Sequence, residues 1–185
     1  NPYFIVCNQF WVHKDHMTLF KAFYEFLKTY GRDFELVCTG ETNDYRCPNH
    51  FKKLESLLND LDIKSDVKIL GHIPKLDQIA LLKKSVAVVQ PTLFEGGPGG
   101  GAAYDAISLG KPLILSDIEV NKEIDVSEKI KFFENQSVES LVTALFDISN
   151  SYFSPVSNDM LRLEGLNRKK ECGAYLLEII RSAVN

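Results

Sequence analysis

Two carboxylates and a run of glycines stand close together in the stretch V-A-V-V-Q-P-T-L-F-E-G-G-P-G-G-G-A-A-Y-D-A-I-S-L-G-K-P-L-I-L-S, from Val86 to Ser116. Glu95 opens the glycine-rich segment, and Asp105 follows one helical stretch later. Between them lie Gly96, Gly97, Gly99, Gly100 and Gly101, five of the chain's eleven glycines. Glycines without a Cβ let backbone N–H groups approach an anion closely. The N-terminus of the helix that follows adds its partial positive charge at the same point. A carboxylate accepts from two hydroxyl groups at once. An anion cradle flanked by two such carboxylates suits a ligand that carries phosphate and many hydroxyls.

The elements that must position these residues alternate almost strictly. Tyr3 to Cys7 reads as a buried strand, and Asn8 to Lys14 as the loop leaving it. Asp15 is an N-cap for a helix whose apolar positions are Leu19, Phe20, Phe23, Phe26, Leu27 and Tyr30, closed by Gly31. Phe34 to Gly40 is a second strand, Glu41 to Asn49 a polar loop, and Phe51 to Leu61 a second helix. Val67 to Gly71 is a third strand, followed by a helix from Pro74 and a fourth strand over Ser85 to Gln90. Leu113 to Leu115 and Ile130 to Phe133 complete six strands. Ile118 to Ile124 reads as a short solvated acidic helix, Ser137 caps a further helix, and a long helical stretch runs from Pro155 to the end. The predicted fold is α/β, a doubly wound (Rossmann-like) parallel sheet of about six strands with helices on both faces. Ligands of such sheets bind outside the carboxyl ends of the strands, where the glycine loop lies.

Bulk properties narrow the function. A hydrophobic fraction of 45% with 25% charged residues describes an ordinary globular chain, and 185 residues suit a single domain over 1–185. A net charge of -4 argues against a general nucleic-acid binder. Cys7, Cys38, Cys47 and Cys172 lie far apart, which fits free buried thiols in a reducing compartment. No apolar run approaches the roughly 20 residues that span a bilayer. The histidines at 13, 16, 50 and 72 lack metal-ligand spacing, so no metal site is expected; His13 and His16 read as surface or capping residues. The chain opens at Asn1 almost directly into a strand, which reads as a fragment of a longer, cytoplasmic protein.

Pro91-Thr92-Leu93-Phe94-Glu95-Gly96-Gly97-Pro98 and Asp105-Ala106-Ile107-Ser108-Leu109-Gly110-Lys111-Pro112 resemble the E-G-F-G-L-P and E-A-M-A-x-G-x-P segments of GT-B glycosyltransferases of the family 4 kind, in their donor-binding C-terminal half. Val67-Lys68-Ile69-Leu70-Gly71-His72 resembles the V-x-F-L-G-x strand whose end meets the nucleotide base. The resemblance implies that Glu95 holds the sugar near its anomeric carbon and that Asp105 holds the ribose. It gives the diphosphate to the glycine amides and Lys14, and the base to the backbone of Gly71 and His72. Two features depart from the family. Glu95 and Asp105 are two residues further apart than its E-x7-E spacing, with Asp in place of the second Glu. The family's phosphate-binding arginine is absent, and its place falls on Asn8 or Gln9.

The resemblance implies a retaining, metal-independent hexosyl transfer that uses a nucleotide-diphosphate sugar as donor and no cofactor. Its implied partners are an N-terminal domain of the same full-length chain and a saccharide or lipid-linked acceptor bound there, with peripheral attachment at the inner membrane face as an open alternative. On that basis the fragment is expected to bind donor weakly and transfer nothing by itself. Two rivals remain: a GT-B-shaped nucleotide-sugar epimerase, and a non-catalytic module that kept the fold and lost transfer. A dinucleotide domain is disfavoured, because Cys7-Asn8-Gln9 stands where G-x-G-x-x-G would follow the first strand.

Overall fold

The computed structural model describes residues 1–124 and 127–184, and the last residue of the expected C-terminal helix, Asn185, lies outside them. The chain divides into two units, Asn1–Tyr152 and Phe153–Asn185. The first holds six strands: β1 (Tyr3–Cys7), β2 (Glu35–Thr39), β3 (Val67–Ile69), β4 (Ala87–Gln90), β5 (Leu113–Ser116) and β6 (Ile130–Phe133). Interleaved with them are α1 (His16–Tyr30), α2 (His50–Asp60), α3 (Lys75–Lys84), α4 (Gly100–Ser108) and α5 (Val138–Asn150). The second unit is essentially one helix, α6 (Asn158–Val184). Among the described residues, no helix is long and apolar enough to cross a membrane.

All strands pair in parallel, in the order β3-β2-β1-β4-β5-β6. The predicted doubly wound sheet is therefore present. Alternation along the strands sends Ile5, Val37 and Val88 to the face covered by Leu82 of α3 and Ala102, Ala103 and Ala106 of α4. Phe4 points the other way, into an aromatic cluster with Phe26 and Phe34, and α1 packs there beside α2 and α5. The alanines bring α4 close to the sheet, so its N-terminus lies directly over the strand ends.

Element ends differ from the sequence pattern where a cap competes with the strand. Ser85, expected in the fourth strand, instead closes α3: its N–H donates to Leu81 O at 3.0 Å and its hydroxyl to Leu82 O at 2.9 Å. Asp15 caps α1 as expected, with its side chain accepting from Thr18 N at 3.2 Å. Of the four cysteines, Cys38 is buried, Cys7 and Cys47 are half-buried and Cys172 is exposed, so burial holds for one of them.

Gly40 is where the β2 end meets the chain leaving β1. Its φ is +132°, its N–H donates to Gly71 O at 2.8 Å, and a Cβ there would stand 2.2 Å from Asn8 O. Backbone cannot yield as a side-chain tip does. Gly40→Ala is expected to cost about 3 kcal/mol, measured by urea unfolding, and an unchanged midpoint would refute the close approach.

Candidate functional site

The strand order reverses direction between β1 and β4. The loop after β1 (residues 8–15) and the loop after β4 (residues 91–99) leave the sheet on opposite sides of that crevice, the standard ligand position in such sheets. Hydrogen bonds tie the first loop to the second and to the end of β4. Leu93 N donates to His13 O at 2.8 Å, with Thr92 Oγ1 3.2 Å from the same oxygen, and Asn8 Nδ2 donates to Gln90 Oε1 at 2.5 Å.

This stitching brings Lys14 and Glu95 into direct contact, although 81 residues separate them. Lys14 Nζ donates to Glu95 Oε1, and the two side chains are only 12% and 11% exposed. The Glu95 carboxylate also rests on the glycine loop. Gly100 has φ +63°, and a Cβ there would lie 3.3 Å from both carboxylate oxygens. Burial lowers the His13 pKa, and the neighbouring Lys14 and Arg46 cations lower it further against the opposing pull of Glu95 and Asp44.

The five glycines are not equivalent. The Gly99 N–H is buried and donates to Asn121 Oδ1 at 2.8 Å, and the Gly100 N–H donates to Gly97 O at 3.3 Å. The first turn of α4 leaves the Gly101 and Ala102 N–H groups without a partner outside the helix among the described residues, and Gly101 is exposed. An anion at this helix end meets those amides. Gly96 and Gly97 have open space around them and shape the outer loop.

Asp105 lies on α4, with its carboxylate gripped by Lys75 Nζ from the start of α3. Both face Cys7 at the end of β1, whose thiol pKa is raised by burial, lowered by Thr39, Gln78 and Lys75, and raised again by Asp105. Gly71 adopts φ +67° and its carbonyl accepts from Gly40, while His72 beside it is exposed. Asn8 is buried with its amide turned to Gln90, and Gln9 is half-buried with its carbonyl accepting from Trp11 N at 2.8 Å. Lys14, Glu95 and the start of α4 are thus joined in one place, with Asp105 further along α4 and Gly71 and His72 at the neighbouring strand end.

Several residues had no signal in the local sequence. Lys75 is one of many lysines, and only the fold sets it against Asp105. Arg46 lies in the polar loop after β2, with its guanidinium 4.8 Å over the Trp11 ring and its Nε 3.1 Å from Asp44 Oδ1. Burial pushes the Asp44 carboxyl up, but hydrogen bonds from Arg46 and from the Val12 N–H outweigh it and hold the pKa below the usual range. Asn121 corrects the expected solvated acidic helix: Glu119–Glu123 is a 3-10 turn, and Asn121 within it is fully buried. His16 is also corrected. It is not a surface residue but fully buried, stacked on Phe10 with ring centroids 4.3 Å apart.

A parallel doubly wound sheet, a glycine loop before a helix N-terminus and an acid–lysine pair at the switch point together make the arrangement that the sequence resemblance implies. The family model described as glycosyl transferases group 1 matches residues 1–160, and the chain belongs to that family. It is similar to the O-antigen chain mannosyltransferase RfbU of Salmonella typhimurium (strain LT2), with 24% identity over 178 residues that cover 95% of this chain and 47% of the relative. The chain therefore spans about half the length of that curated relative.

Among solved structures, the C-terminal domain of a glycosyl transferase group 1 family protein (LpcC) from Francisella tularensis superimposes with a TM-score of 0.69 at 22% identity. The match covers 81% of this chain and 77% of that one. Anabaena Alr3699/HepE, solved in complex with UDP and glucose, gives a TM-score of 0.71 at 14% identity over 82% of this chain and 39% of that one. The resemblance to the C-terminal half of a GT-B glycosyltransferase is borne out, as is the fold.

Proposed function

We propose that this chain is the donor-binding domain of a retaining, metal-independent glycosyltransferase that takes a hexose from a nucleotide-diphosphate sugar. The observation that carries it is the pairing of Lys14 with Glu95 beside the open first turn of α4. A diphosphate seated on the Gly101 and Ala102 amides lies within reach of a cation already held in place. The Glu95 carboxylate, beside the same helix end, accepts from sugar hydroxyls. As the glycosidic bond breaks, the leaving diphosphate gathers negative charge, and fixed N–H groups and the Lys14 ammonium stabilise that charge without reorganising. Neutralisation by these groups calls for no divalent ion. Asp105, kept in place by Lys75, accepts from the ribose hydroxyls, and the backbone at Gly71 and His72 meets the base. The solved relative in complex with UDP and glucose and the mannosyltransferase relative support this chemistry. The acceptor, a saccharide or a lipid-linked saccharide, binds to the remaining half of the full-length protein.

Calorimetric titration of the full-length protein with UDP-, GDP- and ADP-sugars in the presence of EDTA tests the proposal. One of the three is expected to bind and to be consumed with retention at the anomeric carbon; no binding by any of them sinks it. Asp105 gives a narrower test. Asp105→Ala is expected to bring the affinities for the ribo- and 2′-deoxyribonucleoside diphosphates within about twofold of each other, because the acceptor that distinguishes them is gone. A preference surviving in the variant removes Asp105 from the ribose site.

A further inference from the structure

We infer that Asn121 is the positioning residue that holds the glycine loop in its diphosphate-binding shape; the inference rests on the donor-site assignment above. Asn121 is fully buried, and both its amide hydrogens and its oxygen are engaged. Its Oδ1 accepts from the Gly99 N–H at 2.8 Å, and its Nδ2 donates to Ser116 O at 2.9 Å and to Ser116 Oγ at 3.3 Å. Ser116 Oγ in turn donates to Thr92 O at 2.5 Å, and Thr92 Oγ1 donates to Phe94 O at 2.6 Å. One buried relay therefore runs from the end of β4, through the end of β5, to the middle of the glycine loop.

The link at Gly99 matters for two reasons. Gly99 has φ +61° and sits in a closed niche, where a Cβ would stand 2.4 Å from the Ala103 Cβ and 3.0 Å from Ile124 Cδ1. It is also the N-cap of α4, so its orientation sets the direction of the Gly101 and Ala102 amides. Asn121 satisfies the one loop amide that faces the protein interior and so leaves the next amides to face the ligand. Its side chain touches no part of the ligand site itself. Its effect falls on the phosphates first, because the Gly101 and Ala102 amides follow Gly99 directly, whereas Asp105 lies further along α4 and the base position lies at the β3 end.

Asn121→Ala strands the Gly99 N–H and the Ser116 carbonyl in a dry place and releases the loop. In the full-length protein, Asn121→Ala is expected to weaken UDP, GDP or ADP, whichever the parent binds, by about tenfold or more. The matching nucleoside should bind within about twofold of the parent, because it makes no diphosphate contact. Ser116→Ala serves as the control. It removes the serine hydroxyl from the relay but leaves Asn121 bonded to Gly99 and to the Ser116 carbonyl, so it lowers the melting temperature while keeping diphosphate affinity.

A parent that binds none of the three nucleotides removes the donor site and this inference with it. A parent that binds, with Asn121→Ala unchanged or with nucleoside and diphosphate weakened equally, removes the role of Asn121 alone. Amide exchange in the unmutated protein gives a measurement that does not depend on the variant folding. The Gly99 N–H should be strongly protected, and inorganic pyrophosphate should shift the Gly101 and Ala102 resonances. A Gly99 amide exchanging as fast as that of Gly101 overturns the assignment.

Discussion

Glu95→Gln in the full-length protein is expected to lower sugar transfer by about 10²- to 10³-fold, while nucleoside diphosphate affinity stays within about threefold and the fold persists. The substitution keeps the side chain's shape and one acceptor for Lys14 but removes the charge. Glu95 is only 11% exposed and lies against the Gly100 backbone, so its carboxylate is held where donor hydroxyls would come. A neutral amide there donates as well as accepts, which misorients the sugar, and it no longer offsets positive charge developing at the anomeric carbon. In the proposed site the nucleotide contacts the α4 amides, Lys14 and Asp105 and leaves Glu95 to the sugar, which is why its affinity should survive. Alanine is a poorer probe, because it leaves the Lys14 ammonium, 12% exposed, with no partner. Undiminished transfer by Glu95→Gln would favour a different role for this carboxylate, and a parent protein that binds donor but never transfers would favour the non-catalytic module.

Acid is expected to destabilise this protein well above the carboxylate range, and His16 is the main cause. The ring is fully buried on Phe10, and neither nitrogen has a hydrogen-bond partner. Burial, then the nearby His50 and Lys14, lower its pKa from 6.5 to about 3. The native state therefore excludes a proton that the unfolded chain accepts. Stability from this residue is complete above pH 6.5 and falls as the pH drops toward 3. At about 1.36 kcal/mol per pK unit, the loss reaches about 2 kcal/mol by pH 5. Burial lowers the His50 pKa as well, which adds to the loss with the same sign. Urea midpoints at pH 7 and pH 5 measure the sum, and His16→Phe, which keeps the stacking on Phe10, should remove most of the difference. Equal pH dependence in parent and variant would falsify the assignment to His16.

The sequence by itself determined the sheet, its six strands and the place of the site within it. β-branched and aromatic runs of strand length alternate with helical periodicity, and such a pattern has few ways to bury both faces of a parallel sheet. Glycines massed between a strand and a helix marked the candidate anion site, because no other residue type lets backbone come so near a ligand. Glu95, Lys14 and Asp105 stood out through their positions relative to those elements.

What local sequence could not carry was the partner of each of these residues. Lys14 finds Glu95 only because the strand order reverses between β1 and β4, and Lys75 finds Asp105 only because α3 and α4 share a face. The same holds for the division of labour among the glycines. Among five equivalent letters, Gly99 turned its amide inward to Asn121, Gly100 closed on Gly97, Gly101 stayed open at the helix end, and Gly96 and Gly97 took the outer loop. A hydrogen bond between residues far apart in the chain leaves no periodic trace in sequence, since either end alone is an ordinary polar residue. Asn121 looked like a surface residue for that reason and became the anchor of the loop, while His16 looked like one because its stacking on Phe10 arises only in the packed fold.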